Sequence, residues 1–211
     1  MSNRVACIIG FGEFGRQIFQ RINEVKYEKF YFFDDNQFEQ NLDGAKPFND
    51  FLNLEYEQAD FFVALGYRHL ELKQKILVQL YECKRHTPSI IDQSVLVSGS
   101  AQLSAPVVIY PLSNIDLNVF IDFGTVVNNS VVISHDSQIG SCCYISPGVI
   151  ISGNVKIGDR TFIGSGTIIS NNVTIGSNVK IGVGSVVTKD IPDNVSVIGN
   201  PARILRSSLN L

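Results

Sequence analysis

From Ile91 onward the hydrophobic pattern has a period of six. Stepping by six from Ile91 through Val97, Leu103 and Ile109 to Val187 visits 17 positions, all Ile, Val or Leu. Two residues before each stands only Ser, Val, Ala, Thr or Cys, again at all 17. Glycine follows the aliphatic residue at 140, 158, 164, 176 and 182. A helix repeats every 3.6 residues and a strand every two, so neither explains this. A strict six-residue period predicts a β-helix of hexapeptides, each contributing one short strand and one corner. The aliphatic side chain points inward and the small residue leaves room at the bend. With three sides per coil the full repeat is 18 residues, so 91–187 winds between five and six coils. At the strand spacing of about 4.8 Å the prism is roughly 25 Å tall. Its interior is one continuous aliphatic stack, stabilised between neighbouring coils.

The first 88 residues follow another pattern. RVACIIG is an apolar strand. Glu13–Val25 has helical periodicity, with Phe14, Ile18, Phe19 and Ile22 on one side. KFYFFDD and DFFVALG are two more strands, and HLELKQKILVQLYEC is an amphipathic helix. The layout predicts a half-Rossmann-like β-α-β domain with a parallel sheet over residues 1–88, then an all-β parallel β-helix with a C-terminal tail over 89–211.

Composition narrows the function classes. Of 211 residues 45% are hydrophobic and 18% charged, with a net charge of −3. A globular chain is implied. No basic stripe points to nucleic acid, no Lys/Arg-rich amphipathic helix to a membrane surface, and no apolar run is long enough for membrane insertion. The opening MSNRVACIIGFGEFG reads as strand and helix, not as a secretion signal. Cys7, Cys83, Cys142 and Cys143 have no metal-ligand spacing. They read as reduced thiols of a cytoplasmic protein that holds no metal.

Repeats such as NVKIGDRTFIGSGTII and NVTIGSNVKIGVGSVVTKDIPDN, closing with VIGNPARIL, resemble the left-handed β-helix acyltransferases over about 120 residues. The N-terminal GFGEFG, FFDDN and VALGY extend the resemblance to nearly the whole chain. It is to bacterial sugar acetyltransferases that modify nucleotide-linked 4-amino-4,6-dideoxysugars, and to the related sialic acid O-acetyltransferases. The resemblance implies left-handed winding, a homotrimer, acetyl-CoA as cosubstrate, and a place in glycan or lipopolysaccharide biosynthesis.

Acetyl transfer from a thioester to an amine needs a base, donors for the oxyanion, and both substrates in line. An imidazole ordinarily titrates near pH 6.5, which suits a base. His135, the one histidine of the repeat region, lies two residues past the interior Ile133, so it points outward at a corner. Asp136 can orient the ring if the backbone bends between them. The resemblance also puts the general base at this histidine. Gly153 is one 18-residue coil beyond His135 and shares its corner. A glycine there admits a ligand and leaves its N–H free to donate, and the resemblance assigns that amide to the acetyl carbonyl. The other reason for a glycine at a corner is a positive φ.

Tyr144 lies half a coil from His135, so the two line one cleft only across a subunit boundary. It stands where the resembled enzymes carry a second histidine that contacts CoA. The resemblance places Asn128 near the acceptor amine, and Ser165 and Val183 on the CoA-contacting ridge, with Lys189 approaching the phosphates. Each of these residue types also suits a plain corner.

Gly10-Phe-Gly12-Glu-Phe-Gly15 follows a strand and opens a helix, where backbone amides can cradle a phosphate. Asp34 and Asp35 end the second strand, and Gly66, Tyr67 and Arg68 end the third, on the same rim. The module is half a dinucleotide fold and fits one nucleotide better than NAD. The resemblance assigns it to the nucleotide of the sugar substrate, with the acidic pair near the base or ribose. The sequence therefore leads to an acetyl-CoA-dependent N-acetyltransferase of a nucleotide-linked 4-amino-4,6-dideoxysugar. Sugar O-acetylation is the alternative, and a non-catalytic nucleotide-sugar-binding β-helix protein the second alternative.

Overall fold

A computed structural model describes residues 4–23 and 27–205 and divides the chain into two compact units, Met1–Pro88 and Ser89–Leu211. In the first unit β1 (Val5–Ile9), β2 (Lys29–Phe33), β3 (Ala45–Lys46) and β4 (Asp60–Val63) form an all-parallel sheet in the order β3-β2-β1-β4. β1 is central, and Ala6, Cys7, Ile8 and Ile9 are fully buried, as expected for a strand covered on both faces. The helices are α1 (Glu13–Asn23), α2 (Asp35–Glu39) and α3 (Leu70–Glu82). The end of the predicted first helix, at Glu24 and Val25, lies outside the described residues.

β3 and α2 went unpredicted, because two- and five-residue elements carry no readable period. The core between these elements is aromatic. Phe11 and Phe32 stand 4.1 Å apart, Phe19 and Phe30 4.8 Å, and Phe33 and Tyr56 5.1 Å, mostly edge to face. Burial pushes the Cys7 thiol up to about 12, so it packs as a small apolar group.

At the start of β4 the buried Asp60 accepts hydrogen bonds from Arg4 Nη2 (2.9 Å) and Tyr27 Oη (2.6 Å) and pairs with His86 Nδ1 (2.5 Å). Burial alone would raise its carboxyl, but these partners hold it below the usual carboxylate range.

In the second unit each coil adds one two-residue strand to each of three parallel sheets. Neighbouring strands are offset by 18 residues: Val126 pairs with Tyr144, Val132 with Ile150 and Gln138 with Lys156. We number the three faces one, two and three in that order. Every interior aliphatic from Ile109 to Val187 is at most 4% exposed. Ile91 and Val97 are 43% and 40% exposed, because the first coil has a neighbour on one side only. Past Val187 the offset shortens to 16, as Lys180 pairs with Ser196, and a short antiparallel pair ends the stack.

The small residues at the bends do more than leave room. Thr125 Oγ1 donates to Gly140 O and accepts from Cys143 N–H, and Ser137 Oγ does the same with Ser152 O and Val155 N–H. Hydroxyls thus satisfy corner groups of the next coil that the sheets leave unpaired. Cys143 fills an equivalent position, with Sγ 3.1 Å from Gly158 O, and burial pushes its thiol up to about 12. The backbone turns through the left-handed region at every sixth residue from Leu112 to Gly184, a position held by Asn, Gly, Asp and others.

Candidate active site

His135 and Asp136 occupy the corner between faces two and three. Asp136 is one of the left-handed residues, with φ +59°. Aspartate tolerates that conformation better than most residues. This is the bend that the pairing requires: on a straight strand the two side chains would diverge, but here His135 Nδ1 lies 2.8 Å from Asp136 Oδ2. Asn118, one coil earlier and also left-handed, donates from Nδ2 to Asp136 Oδ1 at 3.0 Å. The Asn118 amide and His135 hold the Asp136 carboxyl below the usual carboxylate range. An ionised Asp136 accepts a hydrogen bond from Nδ1–H, which leaves Nε2 as the basic atom.

That atom hangs over the next coil. A β-carbon on Gly153 would lie 2.6 Å from both His135 Nε2 and Cε1. Gly153 is therefore glycine because the imidazole edge fills the space where a side chain would begin. It is not among the residues with positive φ, so the expected backbone reason does not apply. The expectation of a free amide is also corrected. Gly153 N–H donates to Asn171 Oδ1 at 2.9 Å, from one coil further on. His135, Gly153 and Asn171 form one column, spaced by 18, and Lys189 follows on the same corner where the offset begins to shorten.

The remaining solenoid residues lie elsewhere on the prism. Tyr144 is on face one, its ring 6.1 Å from that of Phe162. Asn128 is buried at the corner between faces one and two, and its Nδ2 donates to Ile145 O at 3.2 Å. Ser165 and the 68% exposed Val183 lie at that same corner, in the column one residue further along. Within one chain none of these shares the His135 corner; Lys189 alone does. Asn118 and Asn171 were missed at the sequence level. The signal was available, since each stands 18 residues from a residue already chosen: Asn118 before Asp136 and Asn171 after Gly153.

In the N-terminal unit the three glycines play three parts. Gly10 has φ +86°, and its carbonyl lies where a Gly15 β-carbon would be. Gly15 thus lets α1 pack onto the loop. Gly12 faces open space, so its own chain does not require a glycine, whereas a ligand's close approach would. The loop ends β1 and the Gly66 turn ends β4, where the sheet order reverses, which is where open α/β sheets bind ligands. Asp34 anchors this rim: Oδ2 accepts from Phe11 N–H (2.8 Å) and Oδ1 caps α2 through Gln37 N–H (3.1 Å). Asp35 accepts from Phe48 N–H and is exposed. Tyr67 is 37% exposed, with the Arg68 guanidinium 5.8 Å from its ring centre.

No group of His, Cys, Asp or Glu among the described residues is arranged to hold a metal ion, and no helix among them is long and apolar enough to cross a membrane.

Comparison with known proteins gives two family models: the PglD N-terminal domain over residues 6–80 and the bacterial transferase hexapeptide (six repeats) over 154–189. The chain is similar to the acetyltransferase domain of PglB from Neisseria gonorrhoeae FA1090, solved in complex with acetyl coenzyme A. The identity is 28% and the TM-score 0.82, over 97% of this chain and 100% of that one. It is also similar to PerB from Caulobacter crescentus in complex with CoA and GDP-perosamine, at 26% identity and TM-score 0.83, over 97% and 98% of the two chains. A mutant of perosamine N-acetyltransferase from the same organism matches at 26% identity and TM-score 0.66, over 98% and 99%. The solenoid fits the left-handed parallel β-helix.

Proposed function

We propose that this chain, a hexapeptide-repeat acetyltransferase with a PglD-type N-terminal domain, transfers acetyl from acetyl-CoA to the amino group of a nucleotide-linked 4-amino-4,6-dideoxysugar. One observation carries the reading: the Asn118–Asp136–His135 chain ends in a basic Nε2 above a coil kept bare by Gly153. A histidine that only decorated a corner would need neither the ordered carboxylate nor the empty space. Nε2 takes the amine proton as nitrogen attacks the thioester carbon, and Asp136 stabilises the imidazolium that forms. The perosamine N-acetyltransferase likeness supports an amine as acceptor. The N-terminal unit recognises the nucleotide: Gly12 and the start of α1 present backbone amides to phosphate, while Gly66, Tyr67 and Asp35 line the same rim. Asp34 contributes by holding that rim in shape.

The working form is a homotrimer. Face two points Leu96, Asn114, Val132, Ile150 and Ile168 outward, and face one Val108, Tyr144, Phe162 and Lys180, with Val126 already buried within the chain, whereas face three points Gln102, Phe120, Gln138, Lys156 and Thr174. Leu96, Ile150 and Ile168 are 69%, 41% and 41% exposed in one chain. Two mostly apolar faces and one mostly polar face suit a ring in which each copy covers its neighbour. Such a ring brings Tyr144, Ser165 and Val183 of one copy to the His135 corner of another, where CoA lies with Lys189 near its phosphates. Asn128 contributes to the acceptor side of that cleft.

The test is release of CoA thiol from acetyl-CoA with UDP- and dTDP-linked 4-amino-4,6-dideoxysugars, GDP-perosamine and free sialic acid. Rapid turnover with one nucleotide amino sugar supports the reading and identifies the nucleotide. Turnover with sialic acid alone transfers the protein to O-acetylation, and silence throughout favours a binding protein.

A further inference from the structure

Gly153 is approached from both directions along the stack. His135, one coil before, lays its Cε1–Nε2 edge over the Gly153 α-carbon. Asn171, one coil after, places Oδ1 2.9 Å from the Gly153 nitrogen. Because that partner is an N–H, the carboxamide has one sensible orientation: Oδ1 faces Gly153 and the Nδ2 hydrogens turn away. Asn171 is exposed, and its Nδ2 meets no acceptor among the described residues. A fixed N–H donor therefore stands one coil beyond Gly153, on the opposite side of that residue from the basic atom of the site and in the same column.

Corner N–H groups elsewhere in the solenoid are capped in the same way by different residues. Ser141 N–H donates to Asp159 Oδ1 at 2.9 Å and Ser177 N–H to Asp193 Oδ1 at 2.7 Å. An acceptor is all that capping needs, and a carboxylate supplies it. At the His135 column the cap is a carboxamide, which accepts equally well and also brings two donors. Meanwhile the Gly153 amide, the expected oxyanion donor, is already engaged.

We infer that Asn171 is a further catalytic residue, whose Nδ2–H donates to the carbonyl oxygen of the acetyl thioester. The assignment rests on the acetyl-transfer reading above. As the amine nitrogen bonds to the carbonyl carbon, the carbonyl π pair moves onto oxygen and the oxyanion accepts a hydrogen bond from Asn171 without taking its proton. Collapse restores the carbonyl and breaks the carbon–sulfur bond. The proton that His135 took from the amine passes to the departing thiolate. Gly153 N–H serves indirectly, by fixing the carboxamide.

Asn171→Asp decides the matter, because it keeps the cap on Gly153 and removes the donor. Two measurements are made on the full-length protein: kcat with the active acceptor, and the affinities for acetyl-CoA and for CoA by calorimetry. Loss of one oxyanion donor is expected to lower kcat by about 10²-fold. The preference for acetyl-CoA over CoA should shrink several-fold, since only the former has the carbonyl. A charge effect on the CoA phosphates would weaken both ligands equally and leave that ratio alone. Asn171→Asp with wild-type kcat and a wild-type ratio overturns the assignment and leaves Asn171 as a cap. Asn171→Ala with undiminished kcat also overturns it, because the freed Gly153 amide would then be the donor. Wild-type protein that binds neither acetyl-CoA nor CoA overturns the acetyl-transfer reading itself, a result distinct from either of these.

Discussion

The two units solve the same packing problem in opposite ways. The N-terminal unit closes its core with unlike aromatic rings, such as Phe33 against Tyr56 and Phe11 against Phe32, each in a contact used once. The solenoid closes its core with one aliphatic position repeated from Ile109 to Val187. In the first, a residue's neighbours depend on how every loop happens to run. In the second they follow from addition, because coils stack at a fixed offset of 18. The His135 column is therefore readable by counting, whereas the rim of the N-terminal sheet is not.

The largest effect expected from breaking the comparison is at His135. His135→Ala should lower kcat by about 10² to 10⁴. Its stability should stay within about 0.5 kcal/mol, since the side chain is 56% exposed at a corner that coil stacking maintains without it. A variant of unchanged turnover would remove the assigned base.

Core truncation comes next. Phe33→Ala should cost about 3–5 kcal/mol, because no neighbour can slide into a hole of that shape, whereas Ile145→Ala in the solenoid should fall at the lower end of about 2–5 kcal/mol, because the aliphatics stacked above and below can close in. Denaturant titrations check both values, and equal costs would erase the distinction between the two cores.

A smaller effect is expected at Asn118. Its amide lowers the Asp136 pKa, so Asn118→Ala should raise it. The limb of the pH–rate profile that follows Asp136 should then move to higher pH, with the extra loss of rate confined to the carboxylate range, below about pH 4. An unmoved limb would mean that Asp136 ionisation does not matter to turnover.

The subtlest effect is on stability in acid, at Asp60. Its folded-state pKa is lowered, so its stabilising contribution is complete above the ordinary carboxylate range and is lost as pH falls through the lowered value. Asp60→Asn should therefore flatten the stability curve between about pH 5 and 2, with little change in its slope at neutral pH. A wild-type slope in that window would show the Asp60 cluster to be electrostatically silent.

Much of the solenoid was legible in the sequence for a physical reason: a six-residue period admits few structures. His135 at an outward corner and Gly153 one coil on both followed from it. The amide of Gly153 was misread, because the offset names the neighbouring backbone and says nothing of a side chain returning from the coil beyond. Asn171 and Asn118 were reachable by the same step of 18, taken once more in each direction. In the N-terminal unit the three main strands and two long helices were legible from periodicity. β3, α2 and the capping role of Asp34 were not, since a two-residue strand and a carboxylate that binds two backbone amides leave no periodic trace.

By itself the sequence determined the coil, its repeat and the column to which each corner residue belongs, because local period and close stacking leave a single register. Only the tertiary structure decided what the residues of a column do to one another. The left-handed turn at Asp136 swings the carboxylate onto His135, the imidazole edge claims the space above Gly153, and Asn171 reaches back to occupy its amide. Those outcomes depend on side-chain directions at a bend, where a few degrees of backbone rotation choose between a bonded pair and two side chains in water.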